Sequence, residues 1–186
     1  MWDHVILVKM LYSPSHQFIF IRVSKTASSS ISHTLAPYSV MPARSQYRRL
    51  LSHLPVEENP LKANFRPHQT AAWARRKFPQ EIFRNCFKFA FVRNPYDWVV
   101  SYYTFIKTDQ RHHRHKTVSN MSFIEFQRWQ QSRGRAAMRW HFDADRYANI
   151  LVDFIARFEN LENDLQTVFG RPGIVGAKLP HKNKNT

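Results

Sequence analysis

The sequence is poor in cysteine and has no long apolar run. Its 186 residues include a single cysteine, Cys86, so no disulfide can form within the chain, and we expect this thiol to be a small core residue. No apolar run approaches the ~18 residues that a membrane-spanning helix needs. Residues 1–8 lack the basic start and the small-residue cleavage site of a signal peptide. These absences exclude a disulfide-stapled scaffold and predict a soluble, cytoplasmic protein.

Acidic residues are also scarce. The chain has 13 Asp and Glu against 28 Lys and Arg, which gives a formal net charge of +15. Such a field attracts polyanions and accelerates their arrival. Nucleic acid, acidic polysaccharide, anionic lipid headgroups and phosphate-rich cofactors are all compatible partners, and so is a solvated basic surface without any polymer partner. The charge by itself therefore selects no function.

The apolar content is sufficient for one folded domain. Hydrophobic residues make up 43% of the chain and include 15 Phe, 7 Tyr and 5 Trp, which excludes a disordered tail. A chain of this length buries a core without disulfide or metal support. Runs of β-branched and aromatic residues predict strands at 18–23, 87–92 and 150–158, with a short edge strand at 5–11.

Helical spacing recurs between these strands, and several helices have recognisable ends. Pro95 suits the first position of a helix, and Ser122 with Glu125 forms a capping-box pattern. In the helix at 69–78 we expect one side to face inward and the other outward, with Ala71, Ala72 and Trp73 inward and Arg75, Arg76 and Lys77 outward. The predicted helices span 28–35, 69–78, 95–106, 122–132 and 159–169. The alternation of strands and helices predicts a single α/β domain over residues 1–186, with a mostly parallel central sheet flanked by helices.

The segment 37–67 is the largest irregular part of the sequence. It carries five of the ten prolines and little periodicity, apart from one short helix expected around residues 47–53. Long loops inside a compact domain often carry function. We therefore consider residues 37–67 a possible acceptor-binding segment.

The first of two informative segments lies where the strand at 18–23 ends. There the chain reads Lys25-Thr26-Ala27-Ser28-Ser29-Ser30 and enters a helix. Backbone N–H groups at a helix start bind anions, and a lysine and several hydroxyls add further donors. No Gly-x-x-x-x-Gly precedes Lys25, so a Walker A loop for a triphosphate is excluded. The segment suits a single phosphate with one attached oxyanion; the alternative is an ordinary Ser or Thr helix cap beside a solvated lysine.

The second segment lies at the end of the strand at 87–92. Arg93 follows this strand and offers a rigid fork to a phosphate. Ser101 lies two turns into the following helix and reaches the same phosphate if that helix folds back beside the strand end. The alternative is a surface ion pair between Arg93 and Asp97, with Ser101 in a packing role.

Together the two segments resemble the sulfotransferase family that uses 3′-phosphoadenosine 5′-phosphosulfate (PAPS). Residues 21–30 resemble its 5′-phosphosulfate loop, and residues 89–97 followed by Ser101 resemble its 3′-phosphate motif. Residues 154–161 and 179–184 are similar to segments of carbohydrate-specific and bacterial members. Ser24 stands where the family usually has proline. Members commonly continue beyond the last of these segments, so the resemblance is to a C-terminally abbreviated member with a P-loop-like nucleotide-binding core.

The resemblance implies a role for each matching residue. Lys25 would contact the oxygen that bridges phosphate and sulfate, where negative charge grows in the transition state. The implied reaction is metal-free, in-line transfer of the sulfuryl group to a hydroxyl, with 3′,5′-adenosine bisphosphate (PAP) as product. The cofactor-binding set comprises Arg22, Lys25, Thr26, Ala27, Ser28, Ser29, Ser30, Arg93, Ser101 and Lys182.

Transfer to a hydroxyl also needs a base, and His68 is the candidate. It follows the 37–67 segment and lies in Pro67-His68-Gln69-Thr70-Ala71, which resembles a His-x-Thr-Ala element of bacterial members. A helix-capping or packed histidine is the alternative reading of His68. His53, Glu57 and Glu58 are further candidate bases in the same region.

The histidines 112, 113 and 115 have a spacing that resembles a metal site. They lie in a basic loop without nearby Cys, Asp or Glu. We therefore expect solvent or acceptor contact there, and no metal site.

Two other functions compete with sulfuryl transfer. A basic nucleic-acid-binding or polyanion-binding module would use the net charge, but it predicts aromatics interleaved with Lys and Arg on one face. A nucleotide kinase is disfavoured by the missing glycines. The expected acceptor is a carbohydrate hydroxyl, and the basic residues within 107–116 and 128–146 would suit an anionic glycan.

Overall fold

The computed structural model describes residues 9–41, 45–132 and 149–177. Four strands and eight α-helices alternate along this part of the chain, with 3₁₀ turns at Ala36–Tyr38 and Phe158–Asn160. In chain order the elements are β1 (Leu11–Ser13), β2 (Phe18–Ile21), α1 (Ser28–Leu35), α2 (Gln46–Leu51), α3 (Ala71–Lys77), α4 (Gln80–Asn85), β3 (Phe87–Val92), α5 (Pro95–Thr108), α6 (His115–Val118), α7 (Phe123–Ser132), β4 (Phe154–Arg157) and α8 (Leu161–Gly170).

The strands form one sheet in the order β1-β2-β3-β4. β1 is antiparallel to β2, whereas β2, β3 and β4 run parallel, with Phe20 opposite Phe89 and Phe91 opposite Ala156. The predicted single α/β domain with a mostly parallel sheet is therefore confirmed. β3 has the predicted bounds, β2 ends two residues early, and β4 begins at Phe154 rather than at residue 150. The edge strand lies at Leu11–Ser13, and residues 5–8 of its predicted range fall outside the described residues.

The two faces of the sheet are both covered, which makes a three-layer core. Alternation along β2 and β3 sends Phe18, Phe20, Phe89 and Phe91 to the face that α1 and α8 cover. The ring centroids of Phe20 and Phe89 are 5.2 Å apart. Ile19, Ile21 and Ala90 point the other way, towards α3, α4 and Trp98 of α5. Because both faces are buried, the strands read as nearly continuous apolar runs in the sequence.

A smaller aromatic cluster joins the second half of α5 to α6 and α7. Ile106, Val118 and Phe126 are its buried centre. The predicted capping box at the start of α7 is confirmed: the Ser122 N–H donates to Glu125 Oε2 at 2.7 Å, and the Glu125 N–H donates to Ser122 Oγ at 3.3 Å.

One prediction about α3 is wrong. Lys77 was expected to face solvent, but its side chain is fully buried. Its ammonium contacts the Glu58 carboxylate and donates to the carbonyl oxygens of Leu51 and Asn64, both at 3.1 Å. The chain between residues 51 and 64 folds over the end of α3 and replaces water around the ammonium, and this burial lowers the pKa of Lys77 to about 8. Helical periodicity cannot predict this burial, because the residues that bury Lys77 come from a distant irregular segment.

Candidate functional site

The candidate site lies at the carboxyl edge of the sheet, where β2 and β3 end side by side. The two strands are parallel neighbours, with Ile21 opposite Ala90, so the chain segments that follow them emerge together. The Trp98 indole N–H donates to the Ser24 carbonyl at 2.9 Å and ties the start of α5 to the loop after β2. This arrangement is the usual location of ligand sites in open α/β sheets.

The loop between β2 and α1 has an unusual backbone. Lys25 and Ala27 both have positive φ, at 63° and 56°, and neither is glycine. Left-handed residues other than Gly, Asn and Asp are uncommon, and each costs roughly 1 kcal/mol or more. Thr26 between them has negative φ, and such alternation turns successive N–H groups into an anion-binding concavity. The loop therefore has the backbone shape of a phosphate cradle without the glycines that usually provide it.

The hydroxyls of this loop differ in their availability. The expected Ser or Thr cap of α1 is absent, because Ala27 occupies the N-cap and no side chain caps the helix start. Thr26 is fully buried and its hydroxyl donates to the Val23 carbonyl at 3.0 Å. Ser28 and Ser30 are buried in the first turn, whereas Ser29 is exposed. A ligand at α1 would therefore meet the Thr26 backbone rather than its hydroxyl as a donor.

Arg22 lies under the start of α1. Its guanidinium is only 5% exposed, and Nη2 donates to Ser29 Oγ at 2.8 Å. Nε and Nη1 have no hydrogen-bond partner among the described residues. Burial lowers the pKa of the guanidinium to about 10, so it still carries its charge at neutral pH. A buried cation with vacant donors fits an oxyanion at the start of α1.

Lys25 lies between the loop and α5. Its ammonium is 4.4 Å from the centre of the Phe105 ring, a cation–π contact. Burial, and to a smaller extent the positive charge of Arg93, lower the pKa of Lys25 below its ordinary value. The structure thus brings Lys25 and Arg93 to the same edge of the sheet, from two different strand ends.

Three residues on one face of α5 turn towards the loop. Trp98 contacts Ser24 and Phe105 contacts Lys25, and Ser101 lies between them at helical spacing i, i+3 and i+7. The helix does fold back beside the strand end, which was the condition for Ser101 to reach a phosphate there. Sequence reasoning missed Trp98 and Phe105 as site residues, although their spacing around Ser101 was a usable signal.

Arg93 is held beside the segment that follows β4. Its guanidinium lies over the Phe158 ring, 4.6 Å from the ring centre. The Asn94 N–H donates to Glu159 Oε1 at 2.6 Å, and Asn94 Oδ1 caps α5 by accepting from the Tyr96 N–H. Three strand ends therefore contribute to the surroundings of Arg93.

The candidate base, His68, lies at the end of the 37–67 segment. It is half-buried, has a positive φ of 59° and stands three residues before α3. Gln69 fixes this corner: its Oε1 accepts from the Arg66 N–H at 2.8 Å, and its Nε2 donates to the Ser52 carbonyl at 3.1 Å. The structure positions His68 on a well-anchored turn.

The other candidate bases differ in their surroundings. Glu58 is engaged by the buried Lys77, which opposes a role in proton transfer. His53 and Glu57 are exposed. Glu57 lines a cavity of about 560 Å³ together with Tyr47, Leu51 and Val56.

The remaining predicted residues lie elsewhere. His112 and His113 stack with ring centres 4.5 Å apart, and His115 Nδ1 is 3.0 Å from the Ile106 carbonyl oxygen. Within the described ranges no group of three His, Cys, Asp or Glu residues is arranged to hold a metal ion. Lys182 lies outside the described residues. A cavity of about 680 Å³ lies at the opposite, amino edge of the sheet, lined by residues that include Arg84, Phe87 and Arg171.

No helix in the described part of the chain has both the length and the apolar character to cross a membrane.

Comparison with known proteins identifies the family. The model of the Sulfotransferase family matches residues 8–186. An uncharacterized protein of Archaeoglobus fulgidus is 31% identical over 104 residues, which are 55% of this chain and 82% of that protein. No solved structure matches the chain significantly. Because the family match covers nearly the whole chain, including both strand ends that carry the cations, the protein is an enzyme of the PAPS-dependent sulfotransferase family.

Proposed function

We propose that this enzyme binds PAPS at the carboxyl edge of the sheet and transfers its sulfuryl group to a carbohydrate hydroxyl. The observation that carries the proposal is the meeting of Lys25 and Arg93 at adjacent strand ends, close enough for the charge of Arg93 to lower the pKa of Lys25. Two separated cations at the ends of neighbouring parallel strands suit a nucleotide with phosphate groups at two positions.

The donor site has two halves in this proposal. The left-handed loop, the first turn of α1 and Lys25 hold the 5′-phosphosulfate, with Arg22, the Thr26 and Ala27 N–H groups and Ser28–Ser30 around it. Arg93 and Ser101 hold the 3′-phosphate, which distinguishes PAPS and PAP from other adenosine nucleotides. Lys182 is proposed as an additional ligand by its match to the family motif.

The chemistry follows from these positions. PAPS supplies an activated sulfuryl group whose S–O bond to the 5′-phosphate breaks as a bond to the acceptor oxygen forms. Lys25 donates to the bridging oxygen, which gains negative charge as that bond breaks, so its contact strengthens in the transition state. An anion beside Lys25 also opposes the burial and repulsion that lower the pKa of Lys25, and keeps it protonated. No metal ion is required for these contacts.

The acceptor side is proposed from the 37–67 segment. His68 ends this segment on the turn that Gln69 anchors, and a neutral imidazole takes the proton of the acceptor hydroxyl. The basic loop 107–116 follows α5, and Phe105 of α5 contacts both Lys25 and the His112 ring, whose centre is 5.5 Å away. An acceptor that approaches Lys25 from this side would meet positive charge, which favours an anionic glycan.

Polyanion binding without catalysis is the alternative function. The net charge of +15 supports it. Stacking of nucleic-acid bases requires exposed aromatic rings, whereas Phe18, Phe20, Phe89 and Phe91 are fully buried between sheet and helices. These four rings serve the core and offer no stacking surface, which favours the enzyme.

Calorimetric titration with PAP, AMP and ATP–Mg²⁺ at one salt concentration tests the proposed donor site. We expect tight binding of PAP alone in the wild type. In Arg93→Ala we expect PAP binding to weaken by about 10- to 100-fold and to approach that of AMP, because one charge-assisted phosphate contact is removed. Equal, salt-sensitive binding of all three nucleotides would contradict the proposal, because it would mean that the net charge alone attracts them.

A further inference from the structure

Phe105 connects the proposed donor site to the basic loop that follows α5. Its ring centre lies 4.4 Å from the Lys25 ammonium and 5.5 Å from the centre of the His112 ring, whose plane is inclined to it by 75°. The Phe105 side chain is half-buried and packs against the aromatic cluster of α5, α6 and α7. The cluster therefore fixes the position of the ring, and Lys25 lies against a preformed surface.

The surroundings of Lys25 are otherwise unfavourable for a positive charge. Burial, and to a smaller extent the charge of Arg93 at the end of β3, lower the pKa of Lys25. None of the ion pairs among the described residues includes Lys25. The electron-rich face of an aromatic ring attracts a cation, and this attraction is stronger where water is excluded. The Phe105 ring thus offsets part of the cost of holding a charged ammonium at this position.

An anionic ligand would compete with the ring for the same ammonium. A charge-assisted hydrogen bond to a phosphate or sulfate oxygen is stronger than a contact with an aromatic face. The left-handed backbone of Lys25, with φ of 63°, fixes the point at which its side chain leaves the loop. The long, flexible lysine side chain can nevertheless carry the ammonium from the ring to an anion in the loop.

We propose that Phe105 is a positioning residue, whose ring holds the Lys25 ammonium beside the loop after β2 until the donor binds and then releases it. This inference rests on the proposed function for the identity of the ligand. Before the donor binds, the ring stabilises the charged form of Lys25. In the complex, the phosphosulfate replaces the ring. The contact therefore favours protonation of Lys25 and at the same time lowers the affinity for the donor, and one free energy determines both effects.

Phe105→Leu should change two measurable quantities by matching amounts. We expect the pKa of Lys25 in the free protein to fall by about 0.3 to 1 unit, because the charged form loses its aromatic partner. At a pH below the Lys25 pKa of both proteins, we expect PAP affinity to rise by about 2- to 10-fold, because PAP no longer has to displace the ring. Phe105→Tyr keeps an aromatic face and should resemble the wild type in both quantities.

Nuclear magnetic resonance on the full chain with ¹³C-labelled lysine side chains measures the contact directly. The Lys25→Arg variant assigns the Lys25 signal. Because protons above an aromatic ring resonate upfield, we expect the Lys25 side-chain protons to be displaced upfield in the wild type, and this displacement to disappear in Phe105→Leu. It should also disappear when PAP is added to the wild type. A pH titration of the same signal gives the pKa, and calorimetry gives the affinity for PAP.

The matched control is Phe123→Leu. Phe123 is half-buried in the same aromatic cluster, where its ring centre lies 5.4 Å from that of Tyr103. The same change in side-chain size at this position should alter neither the Lys25 signal nor the PAP affinity. The control therefore separates the contact with Lys25 from a general loosening of the cluster.

Several results would overturn the inference. A Lys25 pKa that rises or stays constant in Phe105→Leu would mean that the ring only excludes water. An upfield Lys25 signal that persists in the wild-type complex with PAP would mean that the ring does not release the ammonium, and this measurement requires no variant that might fail to fold. Failure of the wild type to prefer PAP over AMP would instead overturn the proposed function, whereas the pKa and the signal of the free protein would still test the contact itself.

Discussion

At the scale of single residues, Lys25 carries the proposed chemistry. In the ligand-free structure its ammonium rests on the Phe105 ring, at 4.4 Å from the ring centre, and Arg93 repels it. An anion offers a better partner than an aromatic face, so the proposed function implies that Lys25 leaves the Phe105 ring when phosphosulfate binds. The sequence alone indicated Lys25, but not the ring on which it rests.

Lys25→Ala should therefore separate catalysis from binding. We expect turnover of PAPS to PAP to fall by about 100- to 1,000-fold, because one transition-state contact is lost, while PAP still binds through Arg93 and α1. Turnover with a panel of carbohydrate acceptors and calorimetry with PAP measure the two effects. Arg84→Ala removes the same charge at the opposite edge and should retain activity. Wild-type turnover in Lys25→Ala would rule out the proposed role.

At the scale of structural elements, the contact between α3 and the 37–67 segment includes a buried ion pair. Lys77 is fully buried and the Glu58 side chain is 8% exposed. The Lys77 ammonium also donates hydrogen bonds to the carbonyl oxygens of Leu51 and Asn64 in the segment. The Glu58 N–H in turn donates to the Lys77 carbonyl at 2.9 Å. We therefore expect the stability of the proposed acceptor segment to be coupled to that of α3.

Lys77→Met should be strongly destabilising by itself, by about 3 to 5 kcal/mol, because it leaves the Glu58 carboxylate without its partner. Adding Glu58→Gln should restore a large part of that loss. Chemical denaturation of the wild type, both single variants and the double variant measures the coupling between the two side chains. Strictly additive losses would mean that the ion pair does not hold the segment to α3.

The capping box of α7 makes a contribution to stability that should depend on pH. Hydrogen bonds from the Ser122 backbone N–H and then from its hydroxyl lower the pKa of Glu125 below the ordinary value of 4.5. A carboxyl whose folded pKa is depressed stabilises the fold above its unfolded pKa, and the contribution is lost as pH falls through the folded pKa.

Glu125→Gln should accordingly lower stability at pH 6, and the difference from the wild type should shrink as the pH falls below 4.5. Urea unfolding of both proteins at pH 6 and at pH 3 to 4 measures the difference. Glu162→Gln on the exposed surface of α8 is the control for general charge removal. If the difference in the free energy of unfolding between wild type and variant is the same at pH 6 and at pH 3 to 4, the ionised carboxylate makes no contribution to the cap.

At the scale of the whole molecule, the sheet explains how two distant segments act together. Four buried Phe side chains on its two central strands pack on one of its faces. Parallel pairing of β2 and β3 brings Lys25 and Arg93 to one edge although 67 residues separate them along the chain. The net charge of +15 favours the arrival of anionic donors and acceptors.

Much of the fold was readable from local patterns. The strand at residues 87–92, the helix at 28–35, Pro95 at the start of α5 and the capping box of α7 all depend on neighbouring residues, and all are confirmed. The prediction that was wrong concerns a contact from afar, because Lys77 is buried by a segment more than a dozen residues away. The start of α1 lacks the Ser or Thr cap that was the alternative interpretation of its sequence.

The sequence by itself determined the fold class, the family and the two segments for which we propose anion binding, because these depend on residue order within short stretches. Only the tertiary structure decided which side chains surround those segments and which backbone conformations they adopt. It placed Trp98 and Phe105 of α5 against the loop, buried Arg22 beneath α1, and held Lys25 and Ala27 in left-handed conformations. The physical reason is that burial, charge proximity and backbone strain are properties of packed elements, and no stretch of sequence contains them before the elements meet.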